Sequence, residues 1–167
     1  DGAIQVDGVA VEFNINPAKT EQEFVSRIQS VRSEIDQRLL QHDKNLFIEV
    51  SPTATFDQEY FDSLPDDPKQ LGCEPDFDAY TGEMNEKPRA KEPFRTGAGH
   101  IHFGWTQYID PDLDSHLTLC RSVVKQMDCI LYEASLLWDK DDKRREMYGK
   151  KGSFRPKHYG VEYLPPS

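Results

Sequence analysis

Two segments carry apolar residues at helical spacing, and this feature most restricts what the chain can fold into. Phe24, Ile28, Val31, Ile35 and Leu39 recur along the first, with Arg27, Arg32, Glu34 and Asp36 between them. Leu113, Leu117, Cys120, Val124, Met127, Leu131 and Ala134 mark the second. A stripe of this kind has to face a core, so each predicted helix, about residues 21–41 and 111–138, needs a layer to pack on. Thr20 and Glu23 have the spacing of a capping box at the start of the first helix. Asp110-Pro111 offers the second an N-cap followed by proline at the first helical position.

The remaining apolar segments supply that layer. Residues 3–15 alternate in part, with Val9, Val11, Phe13 and Ile15 on one face of a strand and Gly8, Ala10, Glu12 and Asn14 on the other. Leu46–Val50 reads as a short strand, residues 99–105 as another, and 154–164 as a last one interrupted by Pro156. Residues 51–95 lose periodicity and carry six prolines, from Pro52 to Pro93, among many acidic residues. A loop this long is functional or mobile; it reads as an active-site cover, with a turn of helix around Asp57–Leu64. The order predicts an α+β fold in one domain, residues 1–167, with both helices on the outer face of a curved, mostly antiparallel sheet.

Composition narrows function without naming it. A formal net charge of −10 argues against non-specific nucleic-acid binding, which needs clustered Lys and Arg. No apolar run approaches the roughly 20 residues that cross a bilayer, and no basic-then-apolar leader is visible. Cys73, Cys120 and Cys129 are odd in number and lack CxxC spacing, so a reducing cytoplasm is the expected setting.

The polar residues embedded in the strands carry the chemistry. Glu12 faces away from Val11 and Phe13; His100 and His102 point opposite to Ile101, Phe103 and Trp105; Glu162 lies between Val161 and Tyr163. If the apolar faces all meet the helices, Glu12, His100, His102 and Glu162 converge on the other face. Carboxylates with imidazole hold divalent cations, oxygen-rich sets favouring Mg²⁺ or Mn²⁺ and added imidazole admitting Zn²⁺ or Fe²⁺. Arg95, Arg155 and Lys157 are candidate phosphate contacts. Glu74, Asp76 and Asp78 could reach the metal or an incoming amine from the long loop. Gly97, Gly99 and Gly104 flank the histidine strand, where backbone can come close to a ligand.

Four stretches, in order, give the chain a family resemblance: residues 5–15 (QVDGVAVEFNI), 72–78 (GCEPDFD), 97–104 (GAGHIHFG) and 148–163 (YGKKGSFRPKHYGVEY). Together they resemble the phage-type carboxylate–amine ligase (amidoligase) type 2 family, relatives of glutamine synthetase and glutamate–cysteine ligase. The resemblance spans nearly the whole chain, and its most specific parts are Gly-His-Ile-His and Tyr-Gly-Val-Glu-Tyr. It implies a glutamine-synthetase-like partial barrel that binds ATP and Mg²⁺, with Mn²⁺ as a substitute. Glu12, His100 and Glu162 match metal and phosphate ligands, and Arg155 and Lys157 match nucleotide-phosphate contacts, with Arg95 and His102 beside them. The reaction implied phosphorylates a carboxylate and lets an amine displace phosphate from the acyl phosphate, with Arg155, Glu74 and Asp76 in catalytic roles. The partners implied are a small-molecule or peptide carboxylate and an amine, and the setting a cytoplasm, that of the host cell if phage-encoded.

Two positions depart from the family pattern. No strand with an Asp-Pro-Glu acid precedes Asp1, and Leu164 stands where arginine commonly follows the Glu-Tyr pair. Both are expected of a piece of a longer polypeptide, lacking an N-terminal strand and a C-terminal extension. Two other functions compete. His-x-His on a strand with a later glutamate also suits a cupin-like metal-dependent oxygenase or hydrolase, with His158 as a further ligand. A non-catalytic remnant of the fold would serve as a binding or virion-associated module.

Overall fold

The structure, a computed structural model, describes residues 2–69, 75–86, 92–97, 99–105 and 107–165. Where one domain is expected, the chain divides into two compact units, Asp1–Val50 with Asp62–Gly72 and Ser51–Phe61 with Cys73–Ser167. Both are mixtures of helix and antiparallel strand, and the described strands form no closed barrel. No helix among the described residues is long and apolar enough to cross a membrane.

The first unit is a hairpin under a helix. Strands β1 (Gly2–Asp7) and β2 (Ala10–Ile15) pair antiparallel around a two-residue turn, Gly8-Val9. Gly8 has φ 60° at the first turn position, where glycine alone is comfortable and the strand twist is matched. The single strand expected over residues 3–15 is therefore two strands; the Asp7-Gly8 pair was the turn signal. Helix α1 (Glu21–His42) packs on this hairpin through Val31 and Ile35. Thr20 Oγ1 accepts from the Glu23 N–H at 3.2 Å, while the Glu23 carboxylate accepts from the Lys19 N–H at 2.8 Å. The capping box thus closes one residue early. Residues 46–50 form no strand; Phe47 and Val50 are 76% and 78% exposed. An apolar run with no partner strand has nothing to satisfy its backbone.

The second unit holds the larger core. Strands β3 (Thr53–Thr55) and β5 (Phe94–Thr96) make a two-stranded sheet. Between them in sequence lie α2 (Gln58–Ser63), which is the helical turn expected there, then α3 (Asp66–Lys69), which belongs to the first unit, and β4 (Phe77–Asp78). A four-stranded antiparallel sheet runs in the order β4, β7 (Ser153–Lys157), β8 (Gly160–Tyr163) and β6 (Ile101–Gly104). Helix α4 (Asp114–Met127) lies on one face of it, so that Ala79, Cys120, Val124, Phe154, Val161 and Tyr163 close a buried cluster. Burying side chains of this size stabilises by roughly 1.5–3 kcal/mol each, which makes this cluster the main support of the unit.

The expectation that both long helices share one sheet does not hold. α1 contacts β1 and β2, whereas α4 contacts β7 and β8. The second helix also starts later than Asp110-Pro111 proposes, because the Asp110 carboxylate accepts from the Asp112 N–H at 3.1 Å and makes a turn instead. It continues through a π-turn, Asp128–Tyr132, into α5 (Glu133–Ser135). The extra residue of the π-turn carries Asp128 into the core, where Tyr163 Oη donates to it at 2.8 Å. His116 is buried as well: it accepts from Trp105 Nε1 at 3.2 Å and donates from Nε2 to the Lys157 carbonyl at 3.0 Å. This second bond pins the end of β7.

The β7–β8 turn depends on Gly160. Its φ is 154°, and a Cβ there would lie 1.8 Å from the Phe103 carbonyl oxygen on the neighbouring strand. Gly160→Ala is expected to destabilise the unit by about 2–3 kcal/mol or more, read as a lowered urea midpoint; an unchanged midpoint would mean that β6 and β8 do not meet as described.

Candidate functional site

One row of cross-strand partners builds the site. His102 pairs with Glu162 across β6 and β8, and Glu162 pairs with Arg155 across β8 and β7. Because side chains alternate along each strand, the row lies on the face opposite Val161, Tyr163 and Phe154, which meet α4. Lys157, two residues from Arg155, shares that face, and His100 stands immediately before β6. The alternation expected from sequence for Glu162 and the histidines is thus what the sheet uses.

Glu162 is the hub. Its Oε1 accepts from Arg155 Nη1 at 3.0 Å and from His100 Nδ1 at 2.7 Å, and its Oε2 meets Lys157 Nζ at 3.1 Å. Burial by itself would raise this carboxyl, but the Lys157 hydrogen bond and the charges of Arg155 and Lys157 outweigh it and hold the group below the usual carboxylate range. Glu162 is therefore ionised. Burial disfavours the charge on Arg155, yet Tyr148, Glu162 and the negative charge of Asp76 keep it firmly protonated.

His100 completes a closed ring. Burial pushes its imidazole below the ordinary value, and the attraction of Glu162 does not compensate. The contact with Glu162 is accordingly a hydrogen bond from a neutral ring, not an ion pair. Its other nitrogen, Nε2, lies 2.9 Å from Tyr148 Oη, which also accepts from Arg155 Nη2 at 3.2 Å. Tyr148 is delivered by α6 (Asp142–Met147), where its N–H caps the helix on the Arg144 carbonyl at 2.8 Å. That helix is anchored by the buried Arg144–Asp139 ion pair and capped by Asp141, which accepts from the Arg144 N–H at 2.9 Å. On the far side, His102 Nδ1 meets Tyr159 Oη at 2.6 Å.

His100, His102 and Glu162 offer one ligand atom each, all within 4.8 Å of one another. Two imidazoles and a carboxylate form a donor set that fits a divalent cation, Fe²⁺ or Zn²⁺ more readily than the oxygen-preferring Mg²⁺ or Mn²⁺. None of the other expected residues that the structure describes belongs to that group of three. Glu12 is on the separate β1–β2 sheet, exposed, and accepts from Gln5 Nε2 at 2.8 Å; it is not in the three-residue group. Arg95 is on the β3–β5 sheet, where its guanidinium donates to the Glu92 and Phe94 carbonyls at 2.8 Å and covers the Phe61 ring. Asp76 is half-buried just before β4, and Asp78 accepts from the Tyr80 N–H at 2.6 Å in a turn of the same loop. Glu74 lies outside the described residues. Gly97 and Gly99 have open space around them.

Sequence reasoning missed Tyr148 and Tyr159. Both lie inside the last quoted motif, but a tyrosine between polar neighbours carries no periodic signal, and only the fold shows that each hydroxyl meets an imidazole. Compared with known proteins, the chain matches no family model, no curated protein and no solved structure.

A solvent-facing Arg155 would be removable with little loss of stability, but the side chain is buried, its residue 7% exposed, and paired. Arg155→Ala leaves Glu162 with one strong cation and should destabilise by about 3–5 kcal/mol in equilibrium unfolding. A loss below 1 kcal/mol would show that the pair is not formed in solution.

Proposed function

We propose that the chain is the catalytic-type part of an ATP-dependent carboxylate–amine ligase with a glutamine-synthetase-like sheet. One observation carries the reading: a potential divalent-cation set, His100, His102 and Glu162, shares a sheet face with two cations, Arg155 and Lys157, that touch its carboxylate. A ligase that activates a carboxylate with ATP needs this combination, since the transferred phosphoryl group is stabilised by a metal and by fixed positive side chains. The four quoted stretches and their order support the same reading.

In this reading His100, His102 and Glu162 hold the metal, which when bound would neutralise charge on the nucleotide phosphates. Arg155 presents a fork to phosphate oxygens and Lys157 a point charge. Both turn from Glu162 to the phosphates as nucleotide enters. The substrate carboxylate takes the γ-phosphoryl group of ATP as ADP departs, and the amine then attacks the acyl phosphate and expels inorganic phosphate. Asp76, whose charge already acts on Arg155, would accept the amine's proton.

The donor set favours a second reading in one respect. Two histidines and one carboxylate also make the set of Fe²⁺ oxygenases and metal hydrolases, the cupin-like alternative. The cations engaging Glu162 weigh against it, because each competes with a metal for that carboxylate.

Phosphate release from ATP with Mg²⁺ or Mn²⁺, screened over carboxylates and amines, tests the proposal. Release should require both substrates. Glu162→Gln should abolish it, and Arg155→Ala should slow it by roughly a hundredfold, about 3 kcal/mol of transition-state stabilisation. Calorimetry showing no nucleotide binding at millimolar concentration would end the ligase reading; tight Fe²⁺ or Zn²⁺ binding indifferent to ATP would support the alternative.

A further inference from the structure

Tyr148 Oη lies between His100 Nε2 and Arg155 Nη2. Glu162, whose two carboxylate oxygens meet Arg155 Nη1 at 3.0 Å and Lys157 Nζ at 3.1 Å, accepts from the His100 Nδ1 that lies 2.7 Å from it, so that nitrogen carries the hydrogen. In a neutral imidazole the other nitrogen, Nε2, is then an acceptor. Tyr148 Oη, 2.9 Å away, must therefore donate its proton to Nε2. A guanidinium has no acceptor, so the 3.2 Å contact from Arg155 Nη2 delivers a fixed positive charge to the same phenolic oxygen. The side chains come from the β6 entry, β8, β7 and the α6 cap, so the arrangement is tertiary and not an accident of one turn.

We propose that Glu162, His100 and Tyr148 form a carboxylate–imidazole–phenol relay that activates the Tyr148 hydroxyl as a nucleophile toward tetrahedral phosphoryl and sulfonyl electrophiles. An activated nucleophile needs a base within hydrogen-bond reach, a third group orienting the base, and stabilisation of the developing anion. His100 Nε2 is the base, Glu162 the orienter and Arg155 the anion stabiliser. In the step itself, Tyr148 oxygen bonds to phosphorus or sulfur while its proton passes to His100 Nε2. The leaving group departs with the electron pair of its broken bond, and His100 later returns a proton to it or to water. Arg155 and Lys157, on the same face, would draw an anionic electrophile toward that oxygen. This inference stands apart from the ligase reading, because it requires neither nucleotide nor amine.

The test is covalent labelling with phenylmethylsulfonyl fluoride in metal-free buffer at fixed neutral pH, followed by peptide mapping by mass spectrometry. The S–F bond breaks, a Tyr O–S bond forms and fluoride leaves. Tyr108, 79% exposed, is the internal standard. Tyr148 should be sulfonylated at least about tenfold faster than Tyr108 despite its smaller exposure, a ratio that needs no variant. His100→Gln and Glu162→Gln, checked for folding by circular dichroism, should bring Tyr148 down to the rate of Tyr108. Labelling of Tyr148 no faster than Tyr108 in the unmodified chain, or undiminished in folded His100→Gln, would overturn the relay. Neither result touches nucleotide binding, which is measured separately.

Discussion

A buried carboxylate has to be matched or the fold around it fails, and Glu162 sets the terms for the second unit. At 4% exposure its charge is far from bulk water, where desolvation costs several kcal/mol. Three donors from two places offset that cost: Arg155 and Lys157 on β7 and His100 at the entry to β6. The same contacts decide the protonation of the ring. An ionised Glu162 fixes the hydrogen on His100 Nδ1, and burial keeps the imidazole neutral. Tyr148 is then drawn in as the donor to Nε2, so one carboxylate orders strand, loop and helix cap together.

Strand β8 does two jobs by alternation. Val161 and Tyr163 enter the core with Cys120 and Val124, and Glu162 between them serves the site. Slipping the pairing by one residue would bury the carboxylate against α4 and expose the valine, so the register is tightly specified. Gly160 enforces it at the turn, since any side chain there would strike Phe103. The Asp128–Tyr163 hydrogen bond ties the other face to the π-turn of the helix. Core and site are therefore positioned by the same four-residue strand.

This explains what was legible in the sequence. A period of two is visible in a single strand, so the opposition of Glu162 to Val161 and Tyr163, and of His102 to Phe103, could be read without coordinates. Helix α1 was legible for the same reason, through its 3.6-residue stripe and Thr20 cap. Pairing between strands leaves no such trace. Nothing local distinguishes a hairpin at Gly8 from a continuous strand except one dipeptide, and nothing local tells Glu12 which sheet it joins. The helices were assigned to one sheet because each needed a layer; that there were two layers is a property of contacts distant in sequence. Tyr148 was invisible because its role arises from the α6 cap meeting β7, 7 residues on, and from His100, 48 residues back.

The charge balance within the site also orders events. Around Glu162 stand one negative carboxylate, two cations and a neutral imidazole, a local excess of one positive charge that Asp76 partly offsets through Arg155. A bare dication approaching this face would have to displace Arg155 or Lys157 from the only carboxylate in the three-residue group, and like charges at such distances repel strongly in a poorly solvated setting. An anion meets the opposite situation: it can take Arg155 and Lys157 for itself and leave Glu162 uncovered. A phosphate-bearing ligand would thereby create the metal site that the cations otherwise close, so a cation is better received together with its phosphates than ahead of them. The same anion, arriving alone, would lie beside the Tyr148 oxygen, whose hydroxyl already donates to His100 Nε2.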